Sequence, residues 1–295
     1  MSRLLDGVIV GIKGGFAEVG LESGPVRCKI RGKLRMLDDE LLAGDYVRVD
    51  DSAGEYLLSE VLPRKNRLVR PPVANVDCVA IFTPLRTPDA DLMLTDRLCI
   101  LAEKQGLSVI ICATKADIGD EGKLNFISEH YKGAGYEVVS LAAPKGEGVQ
   151  RLRDFLKGRV SIFAGQSGAG KSTLINAMLP GLELKTAEVS ERIGRGRHTT
   201  RQVRLIPLGE GAYVADSPGF SSLELEGIGP DELRGLMPDV AEHEGACRFS
   251  GCRHNAEPGC GLKEAVSRGR LSRLRYEHYL AFLAECLEAE RRKYD

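Results

Sequence analysis

Residues 165–172 read Gly165-Gln166-Ser167-Gly168-Ala169-Gly170-Lys171-Ser172 and match the phosphate-binding pattern G-x-x-x-x-G-K-[ST]. An apolar run at 160–164 precedes this segment, and a helix-like run at 173–179 follows it. Glycines let backbone N–H groups turn inward around phosphates, and the N-terminus of the following helix favours anions. The segment therefore predicts a phosphate loop between a strand and a helix, as in nucleoside triphosphatases.

Two side chains of this loop have predicted roles beyond backbone contacts. Lys171 is expected to reach the β- and γ-phosphates and to take part in catalysis, and Ser172 is expected to bind Mg²⁺. The predicted nucleotide contacts continue into the helix and comprise Gly165, Gln166, Ser167, Gly168, Ala169, Gly170, Lys171, Ser172 and Thr173.

A second motif, upstream of the phosphate loop, predicts which base is bound. Thr114-Lys115-Ala116-Asp117 follows a strand-like run at 107–113. The carboxylate of Asp117 can accept hydrogen bonds from N1–H and the exocyclic amine of guanine, a donor pair that adenine lacks. The usual motif is N-K-x-D, so Thr114 replaces an amide by one hydroxyl, and some hydrogen bonding is expected to be lost. Taken alone, the segment fits a solvated loop equally well.

Two further segments complete the guanine-nucleotide pattern on either side of the phosphate loop. Asp216 and Gly219 fit D-x-x-G after a strand-like run at 212–215. In that motif the Asp holds Mg²⁺ through water and the Gly amide meets the γ-phosphate. The other segment, usually Ser-Ala, falls at Ala142-Ala143, where Ala143 can still present its backbone amide to the guanine oxygen.

The first switch is predicted at residues 195–201, between the phosphate loop and D-x-x-G. Thr200, with Thr199 as an alternative, would bind Mg²⁺ only in the GTP state. Phe220 stands where many GTPases carry the Gln that orients water, so His198 is the candidate for that catalytic role. A His that only contacts RNA or solvent is the alternative.

In the usual GTPase order the phosphate loop is the first motif, switch I the second, D-x-x-G the third, N-K-x-D the fourth and Ser-Ala the fifth. In this chain the fourth and fifth motifs precede the first, second and third, which indicates a circular permutation. The run at 148–156 reads as the helix that normally closes the domain, and it leads directly to the strand at 160. Permutation is tolerated where the old termini lie close together at the surface. The predicted fold class is α/β, a circularly permuted P-loop GTPase domain at 63–225.

The segment after this domain contains a compact set of soft metal ligands with the spacing C-x4-C-x-H-x5-C, namely Cys247, Cys252, His254 and Cys260. Four such ligands suit one tetrahedral, structural Zn²⁺, and unmetallated thiols are the alternative. We predict an α-helical zinc-binding domain at 226–295. The other five cysteines lie mostly in apolar surroundings and read as core residues, namely Cys28, Cys78, Cys99, Cys112 and Cys286.

The N-terminal residues 1–62 predict a small β-barrel, most simply an OB-fold. Short β-rich runs alternate there with Gly, Asp and Ser turns. The barrel has few aromatic residues, so its composition fits a protein-docking barrel as well as an RNA binder. The basic, Pro-bounded segment 63–72 reads as a linker into the GTPase domain.

Length and composition fit a multi-domain protein. We expect no membrane segment, a reducing, cytoplasmic location and a monomer. The formal net charge is −1, which argues against a uniformly basic nucleic-acid binder. Residues 191–204 nevertheless contain one acidic residue and five arginines, at 192, 195, 197, 201 and 204. Such a run is either a solvated face or a switch that touches a phosphate backbone.

The chain resembles the RsgA (YjeQ) family of circularly permuted bacterial GTPases in four segments. They are Arg64–Pro71 with Ala74-Asn75-Val76-Asp77, Gly165–Asn176, Gly196–Thr200 and Asp216–Phe220. The resemblance spans essentially the whole chain. It implies a GTPase that binds the small ribosomal subunit late in maturation, is stimulated by it, and grips rRNA through the barrel and zinc domain. It also gives His198 the catalytic role.

Two other classes of function stay open at this stage. One is a nucleotide-gated binding module in which hydrolysis is incidental. The other is a P-loop ATPase or kinase that acts on a small molecule, against which Asp117 argues. Hydrolysis of GTP and of ATP, each measured with and without small ribosomal subunits, distinguishes these two classes from a ribosome-stimulated GTPase.

Overall fold

The computed structural model describes residues 4–35, 40–51, 54–69, 71–179, 203–216, 225 and 227–292. Two compact units can be distinguished. The first comprises residues 1–79, 150–164 and 172–221, and the second comprises residues 80–149, 165–171 and 222–295. The predicted division at 62/63 and 225/226 stays a prediction. Across the described ranges, no helix has the length and apolar composition that crossing a bilayer requires.

Five strands at the N-terminus form a closed barrel in the order β1-β2-β3-β5-β4. They are β1 (Leu4–Lys13), β2 (Phe16–Leu21), β3 (Gly24–Ile30), β4 (Tyr46–Asp50) and β5 (Leu57–Val61), and a one-turn helix, α1 (Gly32–Arg35), follows β3. Alternate residues face inward, and the interior is filled by Ile9, Ala17, Val19, Cys28, Ile30, Val47, Val49 and Leu58. The predicted barrel is confirmed, with one strand, β5, that the sequence pattern did not indicate.

The segment predicted as a basic linker is instead built into the fold. It contains a hairpin of β6 (Arg67–Val69) and β7 (Pro72–Ala74). The guanidinium of Arg64 donates to both carboxylate oxygens of the buried Asp45, at 2.6 and 2.9 Å. Asn75 donates to the carbonyl of Gly44 at 2.9 Å. The predicted linker therefore carries secondary structure of its own, and Arg64 is held against a buried carboxylate.

The central sheet has six strands in the order β10-β9-β8-β11-β13-β12. β9 pairs with β10 and β11 with β13 in parallel, and β12 pairs with β13 antiparallel. The strands are β8 (Cys78–Pro84), β9 (Ser108–Thr114), β10 (Glu137–Leu141), β11 (Val160–Gly165), β12 (Arg204–Gly209) and β13 (Ala212–Asp216).

Within the described ranges, four helices alternate with these strands, as the predicted α/β class requires. They are α2 (Leu92–Lys104), α3 (Glu121–Gly133), α4 (Val149–Leu156) and α5 (Lys171–Met178). Asp91 and Asp120 each accept a hydrogen bond at 2.9 Å from a backbone N–H of the first turn of α2 and α3. These carboxylates are N-caps, and they explain where the two helices begin.

The C-terminal residues of the second unit form helices around their own apolar core. The helices are α6 (Pro230–Leu233), α7 (Pro238–Ala241), α8 (Gly261–Ser267) and α9 (Arg273–Arg291). The core includes Leu233, Met237, Tyr279 and Phe282, each at most 1% exposed. The predicted helical character of this segment is confirmed: α6 is followed directly by a 3₁₀ turn (Arg234–Leu236), and α9 spans 19 residues.

A buried charge network, formed by Asp96, Asp239, Arg275 and His278, joins α9 to α2 and α7 within this unit. Arg275 is 1% exposed, and its guanidinium lies 2.7 Å from a carboxylate oxygen of Asp96 and donates to both oxygens of Asp239. Nδ1 of His278 lies 2.6 Å from the second oxygen of Asp96. A buried cation thus has a carboxylate on each side, which is the arrangement that makes burial of charge tolerable.

Candidate nucleotide and metal sites

The phosphate loop has the predicted place between β11 and α5. Gly165, Gly168 and Gly170 all have positive φ, at 127°, 75° and 95°. A Cβ on Gly165 would stand 2.5 Å from the carbonyl oxygen of Phe82 in the neighbouring strand, so this position requires glycine for space as well as for conformation. The loop is therefore shaped by the glycines that the sequence pattern singled out.

Lys171 turns back over the loop that precedes it. Its ammonium donates to the carbonyls of Gly165 and Gln166, at 2.7 and 2.9 Å. Burial lowers the pKa of Lys171 to about 8, because a desolvated ammonium group is less stable than one in water. A phosphate anion placed in this loop would restore the favourable surroundings of the charge, so the geometry suits an anion-binding cation.

Thr114 connects the predicted base-reading loop, residues 114–119, to the phosphate loop. In the usual motif an Asn makes this contact. Its hydroxyl donates to the carbonyl of Ala169 at 2.7 Å, and the residue is 5% exposed. The hydroxyl therefore provides one direct hydrogen bond to the phosphate loop, and the expected loss of hydrogen bonding relative to an Asn amide stays a prediction.

The rest of the base-reading loop is held by hydrogen bonds to backbone carbonyls of the same unit. Lys115 has a positive φ of 60°, and its ammonium donates to the carbonyl of Thr87. The amide of Ala116 donates to the carbonyl of Leu141, at the end of β10, at 3.0 Å. Asp117 follows and is half-buried. It lies beyond the end of β9 at Thr114, where the motif predicts the guanine-reading carboxylate.

Ala143 begins a 3₁₀ turn, Ala143–Lys145, that follows β10. The amide of Ala142 donates to the carbonyl of Glu147 at 3.1 Å, which closes the turn. A Cβ on Gly148 would stand 2.0 Å from the carbonyl of Ser140. The missing Ser of the usual motif therefore does not prevent a compact turn at this position.

The predicted site residues of the switches fall mostly outside the described residues. His198, Thr199, Thr200 and Gly219 lie there, as does Phe220. The backbone of Asp216 ends β13, as expected for the first residue of D-x-x-G. Ser172 and Thr173 lie in the first turn of α5, directly after Lys171.

Sequence reasoning missed the segment 85–91, which lies between β8 and α2. It contacts both nucleotide loops: Gln166 of the phosphate loop bonds to Asp89 and Asp91, and Lys115 bonds to Thr87. The one sequence signal was Asp91, a helix-capping residue before an apolar periodic run. That signal predicts the start of a helix and says nothing about contact with residue 166.

The predicted metal ligands converge at one place. The donor atoms of Cys247, Cys252, His254 and Cys260 all lie within 4.8 Å of one another. Nδ1 of His254 is 3.4 Å from Sγ of Cys247 and 3.3 Å from Sγ of Cys260. A tetrahedral Zn²⁺ would hold such donors about 3.3–3.8 Å apart, given metal–ligand bonds of about 2.0–2.3 Å. The cluster could therefore hold a metal ion with all four positions filled by protein.

Backbone and aromatic groups fix the ligand loops. The amides of His254 and Gly261 donate to Sγ of Cys252 at 3.4 Å and to Sγ of Cys247 at 3.3 Å. Tyr276 and Tyr279 of α9 donate to the carbonyls of His254 and Arg253 at 2.8 and 2.9 Å. Burial raises the pKa of the Cys252 thiol. A metal cation counters that effect, because it stabilises the thiolate that binds it.

A scan against family models matches residues 61–226 to the RsgA GTPase model. Two relatives named "Small ribosomal subunit biogenesis GTPase RsgA" are similar over nearly their whole length. The one from Caldanaerobacter subterraneus is 41% identical over 296 residues, covering 100% of this chain and 99% of the relative. The one from Moorella thermoacetica is 42% identical over 288 residues, covering 97% and 99%.

Two solved structures share the fold. The crystal structure of YjeQ from Thermotoga maritima superposes with a TM-score of 0.83 at 36% identity, covering 97% of this chain and 99% of that one. The crystal structure of YloQ, described as a circularly permuted GTPase, superposes with a TM-score of 0.80 at 33% identity, covering 97% and 96%. The permuted motif order read from the sequence is thus the order of a known fold.

Proposed function

This chain belongs to the RsgA GTPase family, and we propose that it assists late maturation of the small ribosomal subunit, with GTP hydrolysis driving its release. The observation that carries the proposal is the bond from Thr114 to the phosphate loop. It supports a working base-reading loop in spite of the departure from N-K-x-D, and full-length similarity to proteins named for small-subunit biogenesis supplies the partner.

In the proposed mechanism, the protein binds GTP through the two loops described above. Asp117 accepts from the guanine edge, Ala143 presents its amide to the guanine oxygen, and the phosphate-loop amides with Lys171 hold the β- and γ-phosphates. Lys171 stabilises negative charge that develops on the transferred phosphoryl group. Its ammonium already lies among backbone carbonyls in the loop, so little reorganisation is needed when the phosphates bind.

Mg²⁺ is the ion that the family implies, and the predicted ligand set fits it. Ser172, Thr200 and the carboxylate of Asp216 offer oxygen donors, which this hard cation prefers. When bound, the ion would neutralise charge on the phosphates. Gly219 would meet the γ-phosphate through its amide.

We assign the orientation of the attacking water to His198, because Phe220 offers no polar group at the position where many GTPases carry Gln. An imidazole can hold or polarise water. Contact of rRNA with the arginine-rich residues 191–204 would position His198 for this role, which accounts for stimulation by the subunit.

The metal of the Cys247, Cys252, His254 and Cys260 cluster is proposed to be Zn²⁺, with a structural role. Three sulfurs and one imidazole nitrogen suit zinc, and four protein ligands leave no position for substrate. The metal would stabilise the C-terminal helices, which we propose contact rRNA together with the N-terminal barrel. The protein would act as a monomer in the cytoplasm, where small subunits mature.

Steady-state hydrolysis of GTP and ATP, each with and without purified small ribosomal subunits, tests the proposal. We expect slow intrinsic GTP turnover and strong stimulation by subunits, restricted to GTP. Stimulation should be lost in His198→Ala, whereas His243→Ala, which changes a histidine of the C-terminal segment, should retain it. Absence of stimulation, or a preference for ATP, would contradict the proposed function.

A further inference from the structure

The side chain of Gln166 bridges the phosphate loop to the segment 85–91. Its amide nitrogen donates to the carbonyl of Asp89 at 2.8 Å, and its amide oxygen accepts from the backbone N–H of Asp91 at 2.9 Å. Both ends of the amide are therefore used, and both partners are backbone groups. A side chain used in this way sets the distance between two pieces of main chain.

The segment 85–91 is itself fastened at its C-terminal end. The carboxylate of Asp91 accepts from the amide of Leu94 at 2.9 Å, and the carbonyl of Asp91 accepts from the hydroxyl of Thr95 at 3.0 Å. Asp91 is thus the N-cap of the thirteen-residue helix α2. Gln166 consequently ties the phosphate loop to the start of a rigid element.

The other half of the same segment holds the base-reading loop. The carbonyl of Thr87 accepts from the ammonium of Lys115, and the amide of Leu85 donates to the carbonyl of Thr114 at 2.9 Å. Leu85 also packs closely on Gly119, where an added Cβ would stand 2.7 Å from Cβ of Leu85. One seven-residue segment therefore touches the loop that reads the base and the loop that holds the phosphates.

We propose that Gln166 is a positioning residue for guanine-nucleotide binding, which acts through the segment 85–91 to fix the spacing between the base-reading loop and the phosphate loop. Its side chain contacts no nucleotide in this role. Thr114 provides one direct tie between the two loops, and Gln166 provides a second, indirect tie. The inference rests on the proposed function in one respect, namely that a guanine nucleotide is the ligand.

The role predicts which ligands are affected. A nucleotide that occupies both loops benefits from their fixed spacing, because the protein is already arranged for both ends. A ligand that occupies only the phosphate loop gains nothing from it. Loss of the brace should thus weaken GTP and GDP binding equally and raise KM without lowering kcat, which is the behaviour of uniform binding.

The test measures binding of GDP, GTP and inorganic tripolyphosphate to the full-length protein and to two variants. Gln166→Ala removes the side chain, and Gln166→Met keeps its length without hydrogen bonds. We expect both to bind GDP and GTP about tenfold more weakly, which corresponds to two ordinary hydrogen bonds, and tripolyphosphate with unchanged affinity. Gln105→Ala, which alters an exposed glutamine at the other end of α2, should behave as wild type.

Each result has a distinct meaning. Unchanged GDP affinity in both variants would overturn the inference, and so would an equal loss of tripolyphosphate affinity, because that would place the effect within the phosphate loop alone. Failure of the wild-type protein to bind GDP would instead contradict the proposed function. Circular dichroism without nucleotide should match that of wild type and show that the variants are folded, with thermal unfolding at a lower temperature because two hydrogen bonds of the free protein are lost.

Discussion

Two clusters of polar side chains hold the C-terminal helices, and they differ in how the chain supplies their members. The metal cluster draws its four ligands from residues 247–260. The buried charge network joins Asp96 of α2 to Asp239 and Arg275, which lie far along the chain. The first leaves a spacing pattern in the sequence, and the second leaves none.

The two clusters also differ in what satisfies their buried polar atoms. Four soft donors within 4.8 Å could take a cation from outside the protein, whereas Arg275 supplies the cation of its own network. Either arrangement is costly to leave half complete, because an unpaired buried charge loses its hydration without compensation. Removing one component from each therefore tests the comparison directly.

The largest effect is expected on removal of the metal. Binding of a structural Zn²⁺ contributes about 10–16 kcal/mol in small zinc domains, so a strong chelator or Cys252→Ser should unfold residues 227–292 locally. Hydrogen exchange and metal analysis measure this. Cys286→Ser, outside the cluster, should retain one equivalent of zinc. A Cys252→Ser protein with full zinc content and unchanged protection from hydrogen exchange would contradict the structural role of the metal.

Removal of Arg275 is expected to have the next largest effect. Arg275→Met leaves two buried carboxylates without their cation, which costs about 3–5 kcal/mol in comparable buried pairs. Urea unfolding gives the value. Arg273→Met is the matched control, because that side chain is exposed and pairs with Glu277 one turn away, an interaction of about 0.3–0.5 kcal/mol. Similar losses for both variants would show that burial of the network is unimportant.

Acid should remove the stability that Asp96 contributes through the charge network. Burial raises the pKa of Asp96, but Arg275 and the hydrogen bond to His278 outweigh it, so the pKa lies below its ordinary value. A carboxyl with a lowered folded-state pKa contributes stability that is complete above its unfolded-state pKa and is lost as pH falls through the folded-state value. Stability measured against pH should fall less steeply below pH 4 in Asp96→Asn than in wild type.

A smaller effect is expected at Thr114, whose hydroxyl makes a long-range hydrogen bond to the carbonyl of Ala169. Thr114→Val leaves the buried carbonyl of Ala169 without its donor, at about 1–3 kcal/mol, and should weaken GDP binding by about tenfold or more. Thr114→Asn, which restores the residue of the usual motif, should bind at least as tightly as wild type. Equal affinity of the Val variant and wild type would show that the tie is not used.

The smallest effect is expected at Arg204, whose contact is also long-range but exposed. It donates to both carboxylate oxygens of Glu18 at 2.7 and 2.8 Å, and the two side chains are 61% and 37% exposed. Exposed pairs contribute about 0.2–1 kcal/mol. Arg204→Gln should lower the free energy of unfolding by no more than this. As a check, the difference between the variant and wild type should be larger at low salt, where the ion pair is less screened. A loss above 2 kcal/mol would mean that exposure does not decide the value of a pair here.

The sequence was informative wherever a function needs particular residues at short spacing. The glycines of 165–170 and the ligands of 247–260 are such cases, and the alternating residues of the barrel strands are another. Contacts between distant residues were not accessible. Thr114 with Ala169, Gln166 with Asp91, and Arg64 with Asp45 depend on which loops the fold brings together, and no local pattern records that.

The most direct test of the guanine-nucleotide site is the base preference of Asp117→Asn. In the proposed site the carboxylate of Asp117 accepts from the exocyclic amine of guanine, whereas an Asn amide would donate to the oxygen that xanthine carries at that position. Competition of GTP, XTP and ATP against labelled GDP measures the preference. The account predicts that wild type prefers GTP and that the variant prefers XTP, with ATP excluded by both. Equal binding of ATP and GTP by wild type, or an unchanged preference in the variant, would contradict it.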